Sequence, residues 1–117
     1  MKADLTYLRE MSGGNRELIK EMISIFNTQV EEFSKDMDNH LAKKEYEMLG
    51  KLAHKAKSSI SIMGLNDLAI ELKRLENLTK EGKDIDKYAG IISQFKKDTQ
   101  LAVQELNVVL QKIDNYF

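Results

Sequence analysis

His54 lies among residue types that could support phosphoryl chemistry. If this segment is helical, the neighbours three and four residues away are Gly50, Lys51, Lys57 and Ser58. The two small residues would leave the imidazole accessible to another protein, and a neutral imidazole is a nucleophile. The two lysines would place positive charge where a phosphoryl group would sit. The spacing fits a phosphoryl carrier, but it is also typical of a solvated histidine on a helix surface.

The presence of Gly50 within a predicted helix also needs an explanation. Glycine within a helix costs about 1 kcal/mol relative to alanine, which makes it an unusual choice for a purely structural surface position. We therefore interpret Gly50, like Ser58, as a small residue that gives access to His54. On this interpretation Gly50→Ala is expected to stabilise the helix.

The other ionisable residues favour plainer interpretations. His40 falls near a predicted helix end and is interpreted as a solvated or helix-terminal side chain. A metal site shared by His40 and His54 lacks the Glu-x-x-His spacing of helical metal sites. Several carboxylates are interpreted as solvated side chains that pair with Lys or Arg along their own helices: Glu31, Glu32, Glu71 and Glu76.

Composition excludes several classes of protein. The 117 residues fit one domain, spanning 1–117, and the absence of cysteine excludes disulfides, thiolate zinc sites and thiol nucleophiles. A net charge of -1 argues against nucleic-acid binding, which needs a basic surplus. No apolar run approaches the roughly 20 residues of a membrane span, and the N-terminus lacks a signal-peptide h-region. We therefore expect a cytoplasmic protein that binds neither nucleic acid nor membranes.

The chain has no proline and only 6 glycines, and its apolar residues recur at helical spacing. A short leading segment ends at Gly13-Gly14, and Asn15 is expected to cap a long helix. A second long helix should start near Lys44 or Glu45 and end at Gly64, a third should run from about Asn66 to before Gly82, and Asp84 should cap a fourth. The predicted apolar face of the first long helix is Leu18, Met22, Ile25, Phe26, Gln29, Phe33, Met37 and Leu41. That of the second is Leu49, Leu52, Ala53, Ala56, Ile60 and Met63. That of the fourth is Ile85, Tyr88, Ile92, Phe95, Thr99, Ala102, Leu106, Val109 and Ile113. Short connections make sequential helices antiparallel neighbours, so the expected fold is all-α: an up-down antiparallel four-helix bundle with a short extra N-terminal helix.

The segment LAHKAKSS at residues 52–59 resembles the signature of the histidine-containing phosphotransfer (HPt) domain family, which runs Ala-His-x-Leu-Lys-Gly-Ser. The similarity extends to further residues on either side: Tyr7-Leu8, Gly13-Gly14-Asn15, Glu17-Leu18, Gly64, Leu68-Ala69 and Leu75-Glu76. It covers roughly residues 5 to 80. Three positions depart from the family pattern, with Ala56 in place of Leu, Ser58 in place of Gly, and Glu45 where an Asp cap is common.

The resemblance implies a function. In this family the imidazole Nε2 accepts a phosphoryl group from an aspartyl phosphate of one receiver domain and passes it to an aspartate of another. The implied carrier is His54, with Lys57 as phosphate counter-charge. The implied partners are response-regulator receiver domains, of a hybrid sensor kinase and of a downstream regulator, and the chain is expected to be a monomer. The Mg²⁺ belongs to the receiver, so no cofactor or metal is expected here.

The chain also has no glycine-rich nucleotide motif, so a carrier without ATP-dependent kinase activity is expected. Two alternatives stay open. One is a helical adaptor that binds partners without chemistry, and the other is a phosphoryl-accepting domain of a chemotaxis-type kinase.

Overall fold

The computed structural model describes residues 3–117, which form six helices and no strand. The helices are α1 (Thr6–Ser12), α2 (Arg16–Ala42), α3 (Tyr46–Ile62), α4 (Asn66–Glu81), α5 (Tyr88–Gln111) and α6 (Ile113–Tyr116), with a 3-10 turn (Ile85–Lys87) before α5. The prediction of an all-α protein is confirmed. Along residues 3–117, no helix is both long enough and apolar enough to cross a membrane.

Three of the predicted helix ends are confirmed. The Asn15 side chain accepts a hydrogen bond from the Leu18 N–H at 3.1 Å, so it caps the N-terminus of α2. Gly64 and Gly82 follow α3 and α4 with φ of +70° and +65°, which a side chain would strain. After Gly64, the N–H of Leu65 donates to the Ile60 carbonyl oxygen at 3.2 Å. After Gly82, the N–H of Lys83 donates to the Leu78 carbonyl oxygen at 3.0 Å.

Each long helix packs against the next one in the sequence, and the last packs against the first. Helix α2 contacts α3, α3 contacts α4, α4 contacts α5, and α5 contacts α2. Asn27 bonds Asn107 at 3.3 Å and Asp38 pairs with Lys96 at 2.8 Å, so α2 and α5 run antiparallel. Most of the predicted apolar residues of α3 and its C-cap face the core: Leu49, Ala53, Ala56, Ile60 and Met63 are buried, while Leu52 is half-buried.

The predicted apolar face of α2 is partly wrong. Leu18 and Ile25 are 38% and 50% exposed. The buried stripe is displaced by about one residue along much of the helix and consists of Ile19, Ile23, Phe26, Val30, Phe33 and Met37. Because both stripes have helical spacing, the choice between them depends on how α2 packs on its neighbours.

The predicted cap of the last long helix is also wrong. Asp84 adopts a left-handed conformation with φ +52°, makes no side-chain capping bond, and leads into the 3-10 turn. Ile85, predicted to be apolar core, is 44% exposed. Helix α5 begins at Tyr88, from which the predicted stripe is buried as expected: Tyr88, Ile92, Phe95, Thr99, Ala102, Leu106 and Val109.

Candidate functional site

His54 lies near the middle of α3, on the side of the helix that faces away from the core. Its neighbours Ala53 and Ala56 are buried, while the His54 side chain is 63% exposed. Helical periodicity explains the difference, because residues one and two positions apart point to different faces. The predicted exposure of His54 on α3 is therefore confirmed.

The imidazole contacts a buried carboxylate on the neighbouring helix. His54 Nδ1 lies 2.9 Å from Oε2 of Glu76 on α4, and the Glu76 side chain is only 4% exposed. Glu76 was interpreted from the sequence as a solvated side chain that pairs with Lys or Arg along its own helix. The pairing is confirmed, with Lys73 and Lys80, but the solvation is wrong because the side chain is buried. It occupies the side of α4 that carries Leu72, Leu75 and Thr79, which are also buried.

Glu76 is held in its charged form. Burial raises the pKa of its carboxyl, but hydrogen bonds from His54 and from two lysines outweigh burial and bring the pKa down to about 2. At neutral pH this carboxylate is therefore ionised and can only accept hydrogen bonds.

This arrangement determines the tautomer of His54. Since an ionised Glu76 cannot donate, Nδ1 must carry the hydrogen that lies between the two residues. In a neutral ring the lone pair is then on Nε2, at the other side of an imidazole that is largely open to solvent. The geometry thus supplies an oriented, accessible nitrogen nucleophile.

Three lysines surround the same carboxylate. Lys73 Nζ and Lys57 Nζ lie 3.3 Å and 3.9 Å from Glu76 Oε1, and Lys80 Nζ lies 3.2 Å from Oε2. Three lysines beside one carboxylate leave a positive excess around His54. Lys57 was among the predicted site residues, and the structure brings it together with His54 through Glu76.

The other predicted lysine is more loosely placed. Lys51 is exposed and pairs along α3 with Glu47 at 3.7 Å. It also lines an open groove of about 610 Å³ between α3 and α4, together with Glu47, Gly50, His54, Glu76, Thr79 and Lys80. Sequence reasoning missed four of these as site residues: Glu47, Glu76, Thr79 and Lys80.

The two small residues beside His54 have different surroundings. Ser58 is exposed, as expected for a residue that leaves the imidazole accessible. Gly50 is buried against α4: a Cβ built on it would overlap Thr79 Oγ1 and lie 3.2 Å from Thr79 Cβ. The gain in helix stability expected for Gly50→Ala is therefore opposed by a packing cost, because the added methyl overlaps Thr79 and that side chain or α4 must move.

His40 forms a second histidine–carboxylate pair, with Nδ1 3.2 Å from Glu45 Oε1. Here the Glu45 side chain is 45% exposed, and the pair lies at the turn between α2 and α3. Among residues 3–117, no three His, Asp or Glu side chains are grouped so that they could hold a metal ion.

A signal for Glu76 is present in the sequence. Glu76 follows Leu72 by four residues and Leu75 by one, so it falls at the edge of the apolar stripe of α4. A carboxylate in that position needs a partner when it is buried, and lysines lie three residues before it and four after it.

Comparison with models of known protein families gave no match, and neither did searches of curated proteins and of solved structures. Function must therefore be inferred from the residues of the site.

Proposed function

We propose that this chain is a histidine phosphotransfer protein of a two-component phosphorelay. His54 accepts a phosphoryl group from an aspartyl phosphate of one receiver domain and delivers it to an aspartate of another. The observation that carries the proposal is the 2.9 Å contact of His54 Nδ1 with the buried carboxylate of Glu76, on a side chain that is otherwise mostly exposed. The resemblance of residues 52–59 to the HPt signature supports the same function.

The chemistry needs no proton transfer. The Nε2 lone pair of His54 attacks phosphorus, the bond from phosphorus to the aspartate oxygen breaks, and the aspartate leaves as a carboxylate with the electron pair. Nδ1 keeps its hydrogen, so the phosphorylated ring is an imidazolium. The Glu76 carboxylate balances that charge from 2.9 Å. Delivery to the second receiver reverses these steps.

The lysines compensate the charge that arrives. Phosphoryl transfer proceeds through a loose transition state whose charge is spread over the phosphoryl oxygens, so catalysis consists largely of positioning and charge stabilisation. Lys57 and Lys80 contact the carboxylate that binds the imidazole, and Lys51 lines the same groove as His54, so these three lysines are the candidates to turn toward a phosphoryl group on Nε2. They also give the surface a charge that complements the acidic pocket of a receiver domain.

The four long helices form the scaffold of this site, in an up-down antiparallel bundle that α1 extends at the N-terminal end. The closed cycle of contacts from α2 through α5 supports this arrangement. In such a bundle His54 is presented from a rigid helix, which holds a reacting atom more precisely than a loop does.

The test is phosphoryl acceptance from receiver domains. Purified receiver domains of the source organism are phosphorylated with acetyl phosphate, mixed with this protein, and the product is followed by mass spectrometry. Wild type and His40→Gln should gain one phosphoryl group from at least one receiver, whereas His54→Gln should gain none. His40→Gln is the matched control, because His40 also contacts a carboxylate through Nδ1.

The bond formed should be labile in acid and stable in base, as a phosphorus–nitrogen bond is. Label that survives acid would place the phosphoryl group on a hydroxyl such as that of Ser58. If wild type accepts no phosphoryl group from any receiver but binds one of them, the chain is a helical adaptor without phosphotransfer chemistry.

A further inference from the structure

Helix α4 lies close to α3 at Gly50, beside the candidate site. A Cβ built on Gly50 would overlap Thr79 Oγ1, lie 3.2 Å from Thr79 Cβ and lie 3.8 Å from the Glu76 carbonyl oxygen. Only glycine fits this backbone position without displacing α4 or the Thr79 side chain. By contrast, a Cβ on Gly90, the other glycine within a helix, would meet nothing within 4 Å.

This contact lies next to the pair of His54 and Glu76. Gly50 precedes His54 by one helical turn on α3, and Thr79 follows Glu76 by almost one turn on α4. Thr79 is also tied to Glu76 directly, because its Oγ1 donates a hydrogen bond to the Glu76 carbonyl oxygen at 2.8 Å. The separation of the two helices at Gly50 therefore limits how far the Glu76 carboxylate is from the imidazole.

We propose that Gly50 is a positioning residue: by leaving room for Thr79, it lets α4 lie close enough to α3 for Glu76 to bind His54 Nδ1 and fix its tautomer. Gly50 does not touch the reacting atoms. Its effect on phosphoryl transfer rests on the function proposed above, whereas its effect on the tautomer does not.

The two helices have little room to absorb a methyl group at position 50. Either Thr79 rotates, gives up its bond to the Glu76 carbonyl and leaves the 3.2 Å contact with its Cβ to be relieved by a shift of a few tenths of an ångström, or Thr79 keeps its rotamer and α4 moves away by considerably more. Both changes disturb a hydrogen bond of 2.9 Å, whose strength falls with distance and misalignment. Because misplacement by about 1 Å can cost around a hundredfold in rate, the smaller displacement should slow transfer by about threefold to tenfold.

The experiment compares five proteins: wild type, Gly50→Ala, Gly90→Ala, Thr79→Ala and the double variant Gly50→Ala/Thr79→Ala. The ¹⁵N chemical shifts of the His54 imidazole are measured with the ring neutral, which reports the nitrogen that carries the hydrogen. Transfer rates from one phosphorylated receiver are measured on the same samples, and circular dichroism checks the helix content.

The fraction of His54 with hydrogen on Nδ1 should fall in Gly50→Ala and stay at the wild-type value in Gly90→Ala. It should recover in part in the double variant, because Thr79→Ala removes the overlapping oxygen and leaves the 3.2 Å contact with Cβ. If Gly50→Ala does not fold, the double variant is compared with Thr79→Ala alone, and the Nδ1-protonated fraction should be lower in the double variant.

An unchanged tautomer in a folded Gly50→Ala would overturn the positioning role, as would equal fractions in the double variant and Thr79→Ala. A wild-type protein that accepts no phosphoryl group, but shows the expected tautomer shifts, would refute the proposed function and leave the positioning role supported.

Discussion

Replacing Glu76 by glutamine is the most direct test of how His54 is oriented. The substitution keeps the size of a side chain that is only 4% exposed, so it removes the charge without opening a cavity. The amide oxygen of glutamine can still accept the hydrogen of His54 Nδ1. It cannot balance the positive charge that the ring acquires when Nε2 is phosphorylated.

The expected loss follows from the strength of the hydrogen bond. A hydrogen bond to a charged group contributes about 1.5–3 kcal/mol, compared with about 1 kcal/mol for a neutral one. The hydrogen bond to the carboxylate is therefore about 1 kcal/mol stronger than the one to the amide. This difference stabilises the transition state, in which the imidazolium is forming, and each ~1.4 kcal/mol of barrier is a factor of ten in rate. Glu76→Gln should therefore slow phosphoryl transfer by about fivefold to tenfold.

The same substitution should also lower folding stability. Removing one partner of a buried ion pair costs about 3–5 kcal/mol when it leaves the other charge buried. The Lys57 side chain is only 27% exposed, but those of Lys73 and Lys80 are half or more exposed, so water can solvate them once the carboxylate is gone. We expect the free energy of unfolding to fall by about 1–3 kcal/mol, in the direction that the lowered pKa of Glu76 requires.

The assay is single-turnover transfer from one phosphorylated receiver, with quenching at short times, alongside thermal unfolding. Glu71→Gln is the matched control, since Glu71 lies on the same helix and pairs with Arg74 at 3.4 Å but is half-exposed. Transfer at the wild-type rate in Glu76→Gln would refute a role for the carboxylate. An equal slowing in Glu71→Gln would mean that the loss of any negative charge on α4 is sufficient.

Glu76 should also make the fold sensitive to acid. Its pKa falls from 4.5 to about 2 on folding, so the unfolded chain binds this proton more readily. The stabilisation it provides is complete above pH 4.5 and is lost as the pH falls toward 2. In urea titrations between pH 6 and 2, wild type should lose more stability than Glu76→Gln, and parallel curves would contradict the environment described for this carboxylate.

Three further predictions concern the residues around the carrier. Ser58→Phe should slow transfer by at least about tenfold with little loss of stability, because the bulk lies on an exposed surface beside the imidazole; a wild-type rate would mean that the receiver docks elsewhere. Lys57→Ala should slow transfer by about twofold to fivefold at low salt and less at high salt, whereas Lys55→Ala should not; equal rates at every salt concentration would remove Lys57 from the mechanism. In thermal unfolding, Gly90→Ala should stabilise the protein by about 0.5–1 kcal/mol, while Gly50→Ala should destabilise it by about 1–3 kcal/mol; equal shifts would contradict the tight contact at Gly50.

The helix ends could be predicted from local chemistry. Asn15, Gly64 and Gly82 act through their own backbone conformation and nearest neighbours, which is information that the sequence contains directly. The buried face of α2 could not be resolved in the same way, because Leu18 and Ile19 both belong to stripes with helical spacing. Which stripe is buried depends on contacts with α3 and α5, between residues that are distant in the sequence.

In the candidate site, too, local features could be predicted from the sequence and contacts between helices could not. The exposure of His54 follows from the period of α3 alone. The partner of its Nδ1 lies 22 residues away on another helix, and the burial of Glu76 depends on how closely α4 approaches. That approach in turn depends on Gly50, whose lack of a side chain was interpreted as access for a partner. A glycine permits close contact on the side of the helix where a side chain would otherwise project. Only the packing shows whether a neighbouring helix or solvent lies on that side.

The two histidines of this chain differ in the burial of the carboxylate that each contacts. His40 and His54 each have Nδ1 next to a carboxylate, at 3.2 Å and 2.9 Å. The partner of His40 is nearly half-exposed, so water competes for that hydrogen bond. The partner of His54 is buried, and hydrogen bonds from His54 and two lysines lower its pKa and keep it ionised near neutral pH. Under the proposed function, a carrier must present the same nitrogen at each encounter with a receiver, and of the two carboxylates only Glu76 is buried in a way that holds the ring in one orientation.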